Sequence, residues 1–131
     1  MKPRGLWLSV EGDDDWPHWC QDEGFNIGSL AVATEIALSP DAKICHLTTA
    51  ADIDAFTERW VTTPPGMPDS FLSRGMFIDW PEVAREHDGI IIAPYIWARR
   101  LSRHCSWYYG WDCASGCIWQ MSAIARRGDN Q

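Results

Sequence analysis

Long apolar runs are missing from this 131-residue chain. The longest, Gly89 to Pro94, is far short of the roughly 20 residues that a bilayer-spanning helix needs, so no membrane partner is expected. Basic residues are also scarce. Eleven Lys and Arg stand against eighteen Asp and Glu, a net charge of −7. That balance leaves no basic stripe to displace counterions, and it argues against a nucleic-acid backbone as partner. No cleavable leader is expected either, because the short apolar stretch Gly5 to Val10 meets Glu11 and three aspartates at once. Five cysteines cannot all pair. Without a secretory signal they point to free thiols in a reducing compartment, the cytoplasm. No pair of C-x2-C knuckles occurs. The looser sets around Cys113, Cys117, His104–Cys105, Cys45–His46 and His18–Cys20 match real metal sites poorly, so no metal is expected. No Ser-His-Asp pattern, nucleophile elbow or phosphate loop is evident either.

What remains is of ordinary globular composition, 46% apolar and 22% charged, in a length suited to one domain spanning residues 1–131. Gly5 to Val10 reads as a strand. Asp15 ahead of Trp16-Pro17 reads as a helix start, with the helix ending at Gly24. Leu30, Val32, Thr34, Ile36 and Leu38 alternate as in a strand, and Ser39-Pro40-Asp41 then turns the chain into a hairpin partner at Lys43 to Leu47. Thr48 or Thr49 is expected to cap the next helix, with Asp52 placed for a capping box from Thr49, and the helix turns Ile53, Phe56 and Trp60 inward. Residues 61–76 carry three prolines and read as a long loop. Asp79 caps a short helix, and Asp88-Gly89 leads into the buried strand Ile90 to Ile92. Ile96 to Arg103 is expected to be helical. Trp107–Trp111 and Cys117–Trp119 are expected as strands around a turn at Asp112 to Gly116, with residues 126–131 as a frayed tail. The fold class is α+β.

Nine tryptophans are the outstanding feature. Each indole N–H needs a partner when buried, so a core built from nine is awkward. Trp60, Trp80 and Trp119 lie on apolar faces and are expected to pack. Trp16 and Trp19 share a helical face, and Trp107 and Trp111 flank Tyr108-Tyr109-Gly110. Set among polar and small residues, these four are the candidates for stacking a flat ligand or gripping a partner. Asp112 and Ser115 sit in the adjoining turn, where an aspartate caps the backbone or polarises a ribose hydroxyl.

Three segments, in order, resemble the ADP-ribosyltransferase superfamily. Gly5-Leu-Trp-Leu-Ser9 followed by Trp16-x-x-Trp19-Cys20 is similar to its glycine-led strand and the helix after it. His87-Asp88-Gly89-Ile-Ile-Ile92 resembles its late helix–turn–strand step. Ser115-Gly116-Cys117-Ile118-Trp119 with Met121-Ser122-Ala123-Ile124 resembles its final strand. The resemblance covers about a third of the chain. It implies a split antiparallel or mixed sheet with short helices and NAD as cofactor. By the same likeness Trp16 or Trp19 would face nicotinamide, Ser9 would be the strand-end serine, and Arg4 would lie near the phosphates. Family members carry a histidine or arginine strand before the glycine-led one, and Arg4 is its one counterpart here. Active members carry a glutamate on the final strand just ahead of a hydrophobic triplet, and the positions before Ile118 here offer Asp112 and Ser115 instead. Two functions follow as expectations. One is an NAD-binding ADP-ribosyltransferase-like protein acting on a host protein. The other is a non-catalytic phage-type inhibitor, in the host-cell cytoplasm, that docks on a bacterial defence protein of CRISPR or other type through an acidic, aromatic surface.

Overall fold

The computed structural model describes residues 2–25, 27–31, 33–66 and 75–130. The centre of the long Pro-rich loop expected over 61–76 therefore lies outside the described residues. Near its ends the chain closes on itself, with Val61 bridging Ile78.

Local chemistry sets the helices. Helix α1 (Trp16–Glu23) starts at Asp15, whose extended backbone frees its carboxylate to accept the His18 N–H, and it stops at Gly24 with φ 64°. Helix α2 (Ala50–Trp60) carries a complete capping box between Thr49 and Asp52, and buries Ile53, Phe56 and Thr57. Helix α3 (Trp80–Glu86) is capped by Asp79 with proline in its first turn.

Among the described residues six strands make two sheets: β1 (Leu6–Ser9), β2 (Ala33–Leu38), β3 (Ile44–Leu47), β4 (Gly89–Ile92), β5 (Ser115–Ile118) and β6 (Ile124–Asn130). The larger sheet has the order β1-β5-β4-β3, with β2 and β6 paired apart from it. The larger sheet is mixed: β5 runs antiparallel to both β1 and β4, whereas β3 and β4 are parallel. A parallel pair needs a long crossover, and α2 and α3 are carried in it.

The hairpin expected between residues 30–38 and 43–47 does not form. Strand β3 takes the thoroughly apolar β4 as its neighbour, and β2 pairs antiparallel with β6. The first half of β2 is exposed, as suits a peripheral ribbon. Residues 27–31 form a 3-10 turn, which takes Leu30 and Ala31 out of the strand expected from Leu30. Residues 126–130, expected as a frayed tail, run in β6.

Trp107–Trp111 is not a strand either. Residues 103–110 form a 3-10 segment kinked at Cys105. A strand would send 107, 109 and 111 to one side. Instead Trp107, Tyr108 and Trp111 are buried and Tyr109 is exposed, a helical spacing. The helix expected over 96–103 shrinks to a turn at Trp97–Arg99, and Ser102 is extended.

The core joins Leu47, Ile53, Phe56, Val83, Ile90, Ile92 and Cys117 to Trp107, Tyr108 and Trp111. Each large side chain so buried contributes about 1.5–3 kcal/mol. Trp60, Trp80 and Trp119 pack against its edge. Two of the awkward N–H groups are met at the core: Trp107 Nε1 donates to Thr57 Oγ1 at 2.8 Å, and Trp119 Nε1 to the His87 carbonyl at 2.7 Å. Strand β5 approaches β4 so closely that a Cβ on Gly116 would lie 2.8 Å from Ile91 Cγ1.

Candidate functional site

The pairing of β1 with β5 sets Ser9 opposite Ser115. Beyond them the chain is laced by backbone bonds. Val10 N donates to Ala114 O at 3.0 Å, and Ala114 N donates to Asp14 O at 2.7 Å. Ser9 Oγ accepts the Trp16 N–H at 2.9 Å, which fixes the start of α1 over the end of β1.

Between these elements lies a cavity of about 320 Å³, lined by Lys2, Trp7, Leu8, Ser9, Trp16, Trp111, Asp112, Cys113 and Ser115. Trp7 and Trp111 meet edge to face, and the Lys2 ammonium stands 5.3 Å from the centre of the Trp7 ring. Trp111 is fully buried, yet its Nε1 has no hydrogen-bond partner among the described residues. The Ser115 hydroxyl donates to the Cys113 carbonyl at 3.0 Å. Burial pushes the Cys113 thiol up to about 11, so it stays neutral at physiological pH.

Of the residues singled out from sequence, the structure brings Ser9, Trp16, Trp111, Asp112 and Ser115 together on this cavity. It does not bring Arg4, Trp19 or Trp107 there. Arg4 is exposed away from the lining. Trp19 stacks on Trp16, centroids 5.0 Å apart, and borders a smaller acidic depression with Asp13, Asp14, Asp15, His18, Asp22, Trp97 and Asp112. Trp107 is a core residue, 2% exposed, its ring held by Phe56 and Trp80. The helical course of residues 103–110 turns Trp107 into the core, where its ring meets Trp111 edge to face with centroids 6.3 Å apart, so that Trp111 alone of the two reaches the cavity.

The sequence reading missed Lys2, Trp7, Leu8 and Cys113. Trp7 left a signal: it alternates with Leu6 and Leu8, and shares a face of β1 with Ser9.

Chemically the cavity offers indole faces, one half-buried carboxylate, two hydroxyls and an ammonium. Indole faces attract flat rings, most strongly electron-poor or cationic ones. No histidine lines the cavity among the described residues, and the Ser115 proton is already given to a carbonyl. Asp112 is thus the lining group suited to acid–base or electrostatic work.

No protein-family model, curated protein or solved structure matches the chain. Among the described residues, no helix is long and apolar enough to cross a membrane.

Proposed function

We propose that this domain binds NAD, or a related nucleotide with a nicotinamide-type ring, in the Trp7–Trp16–Trp111 cavity and acts as an ADP-ribosyltransferase-like protein. The observation that carries this reading is the convergence of Ser9, Trp16, Trp111, Asp112 and Ser115, drawn from three separate stretches of chain, on one cavity. Its volume is at the low end of the roughly 300–1,000 Å³ of small-molecule sites. That room suits a ring and its ribose, with the pyrophosphate outward toward Lys2. A pyridinium against indole gains cation–π attraction, and Asp112 adds a favourable opposite charge.

In the transfer step an acceptor nucleophile bonds to the anomeric carbon as the bond to nicotinamide breaks. Nicotinamide leaves neutral with the electron pair, and the acceptor's proton passes to Asp112. The same carboxylate stabilises the positive charge that develops on the sugar. Calorimetric titration with NAD, repeated on Trp16→Ala, is the test. Saturable binding weakened in the variant is expected, as is Asp112→Asn that binds but fails to transfer labelled ADP-ribose. Absence of saturable binding at millimolar NAD sinks the reading.

One observation favours a second reading, a non-catalytic protein that grips a partner. Trp97, Leu101 and Tyr109 are exposed together, and the Arg100 guanidinium lies 5.8 Å from both ring centres. Trp97 Nε1 donates to Asp14 Oδ2 at 3.1 Å, so this aromatic strip continues into the acidic stretch. On this reading Trp97→Ala abolishes retention of a stoichiometric host protein and Asp112→Asn leaves it unchanged.

A further inference from the structure

Helix α2 faces the 3-10 segment that follows Ser102. Asp54 lies one residue from the buried Ile53 and is itself half exposed. Opposite it stand His104 and Cys105. Consecutive residues of a regular helix point about 100° apart, but the backbone at Cys105 leaves helical geometry (φ −135°, ψ 47°). As a result one carboxylate oxygen of Asp54, one ring nitrogen of His104 and the Cys105 Sγ lie within 4.8 Å of one another.

We propose that Asp54, His104 and Cys105 form a binding site for a divalent transition-metal ion of the zinc type. The donor set chooses the metal class. A thiolate and an imidazole disfavour calcium and magnesium, and with one carboxylate they match the sulfur, nitrogen and oxygen ligands of zinc or cobalt. Three protein ligands leave the fourth tetrahedral position to water, and exposed His104 keeps that position open to solvent.

The supporting groups are in place as well. A metal-bound histidine characteristically donates its second ring N–H to an oxygen. His104 Nδ1 lies 3.0 Å from Ser102 Oγ. Its Nε2, 3.1 Å from Asp54 Oδ1, is the nitrogen that would take the metal. Without metal, Nε2–H donates to Asp54 and Nδ1 accepts from Ser102. With metal the tautomer reverses, and Ser102 changes from donor to acceptor without moving. Arg99 grips Asp54 with two bonds of 2.8 Å, Nε to Oδ1 and Nη2 to Oδ2. The metal takes Oδ1, and Oδ2 keeps its bond to Nη2, so the guanidinium orients the carboxylate. Metal–ligand bonds of about 2.0–2.3 Å require the three donors to draw in by up to about 1 Å. Rotation of the exposed His104 side chain provides this movement, and the Arg99 Nε–Oδ1 bond gives way as Oδ1 turns to the metal.

The site is independent of the aromatic cavity and of any reading of its function. The test is titration of the tag-free, metal-stripped chain with Co²⁺, followed by displacement with Zn²⁺. One equivalent is expected, with tetrahedral visible bands and a thiolate-to-cobalt charge-transfer band in the near ultraviolet. Cys105→Ser should abolish the charge-transfer band. Cys105 is fully buried and that variant risks misfolding, so His104→Ala, a change at an exposed position, provides the second arm. It should weaken binding at least tenfold with an unchanged circular dichroism spectrum. Ser102→Ala should weaken binding about 10–100-fold. Absence of a charge-transfer band overturns the proposal, and so does a band of undiminished affinity in His104→Ala, which would place the ion on other cysteines.

Discussion

The indoles of Trp7 and Trp111 meet edge to face, ring centres 4.8 Å apart and planes at 63°. Trp7 is 38% exposed and Trp111 1%. One wall of the cavity is therefore free to change while the other belongs equally to the core. Trp7→Ala removes one ring from the proposed nucleotide site, a contact worth about 0.5–1.5 kcal/mol, so nicotinamide-nucleotide affinity should fall up to about tenfold, while the lost Trp7–Trp111 pair costs stability only about as much. Trp107→Ala should do the reverse. It deletes a core ring that also donates to Thr57, and should cost about 3–5 kcal/mol. Urea denaturation beside calorimetric binding separates the two. Equal destabilisation by both would mean that Trp7 is a packing residue.

Asp15 links cap strength to pH. Burial pushes its carboxyl up, but the N–H groups of Gly12 and His18 and the His18 ring outweigh this, and the net shift is downward. The His18 imidazole is raised, first by its hydrogen bond to Asp15 at 2.6 Å. A lowered carboxyl stabilises the fold above its unfolded value near 3.9, and that contribution fades as pH falls through the native value. A raised imidazole stabilises fully below about 6.5 and ceases to do so as pH rises through its native value. Both contributions are present between about pH 4 and 6.5. Denaturation midpoints should decline on either side, and His18→Gln should flatten the alkaline side and, because the His18 ring also helps to lower Asp15, soften the acid side. Asp15→Ala should remove both and cost about 1 kcal/mol at pH 5 through the lost cap. An unchanged alkaline slope in His18→Gln would assign that slope to another group.

Gly75 meets the backbone at the base of the Asp54–His104–Cys105 cluster. A Cβ there would lie 2.2 Å from the His104 carbonyl oxygen and 2.7 Å from Cys105 N, and Trp107 N donates to Gly75 O at 2.8 Å. Backbone cannot yield as a side-chain tip can. Gly75→Ala should therefore destabilise the domain by about 1–3 kcal/mol. Gly66, with open space around it, is a matched comparison, although its φ of 85° also disfavours alanine. Denaturation of the pair distinguishes steric from conformational cost. A smaller loss for Gly75→Ala than for Gly66→Ala would show that the segment carrying His104 yields easily.

Elements signalled by short-range chemistry were legible in the sequence. Asp15 and Gly24 bound α1, Thr49 and Asp52 start α2, and Asp79 starts α3, because caps and turns act within four residues. Partner choice was not legible. Residues 43–47 carry no mark telling β2 from β4, since pairing is decided by which neighbour buries more surface. Trp107–Trp111 shows the same limit. Its aromatic residues fit a strand, yet the core takes 107, 108 and 111 and leaves 109 in solvent. The cavity was partly legible because four of its residues follow one another closely, from Trp111 to Ser115. Asp54 and His104 are 50 positions apart, a separation at which spacing carries no information.

Tyr95 holds the buried wall of the cavity from behind. Its hydroxyl donates to the Trp111 carbonyl at 2.6 Å, and its ring stacks on Tyr108, whose own hydroxyl accepts the Ile96 N–H at 2.9 Å. Burial pushes the Tyr95 phenol up to about 12, so it remains a donor throughout the ordinary pH range. Tyr95→Phe keeps the ring and leaves the Trp111 carbonyl without that donor, a cost of about 1–3 kcal/mol for an unmet buried group. Trp111 then loses a constraint on its position, so nicotinamide-nucleotide binding should weaken although Tyr95 does not line the cavity. Binding calorimetry on Tyr95→Phe, at a temperature where the variant remains folded, isolates this positioning effect. Lower stability with unaltered affinity would show that the carbonyl bond serves the core alone.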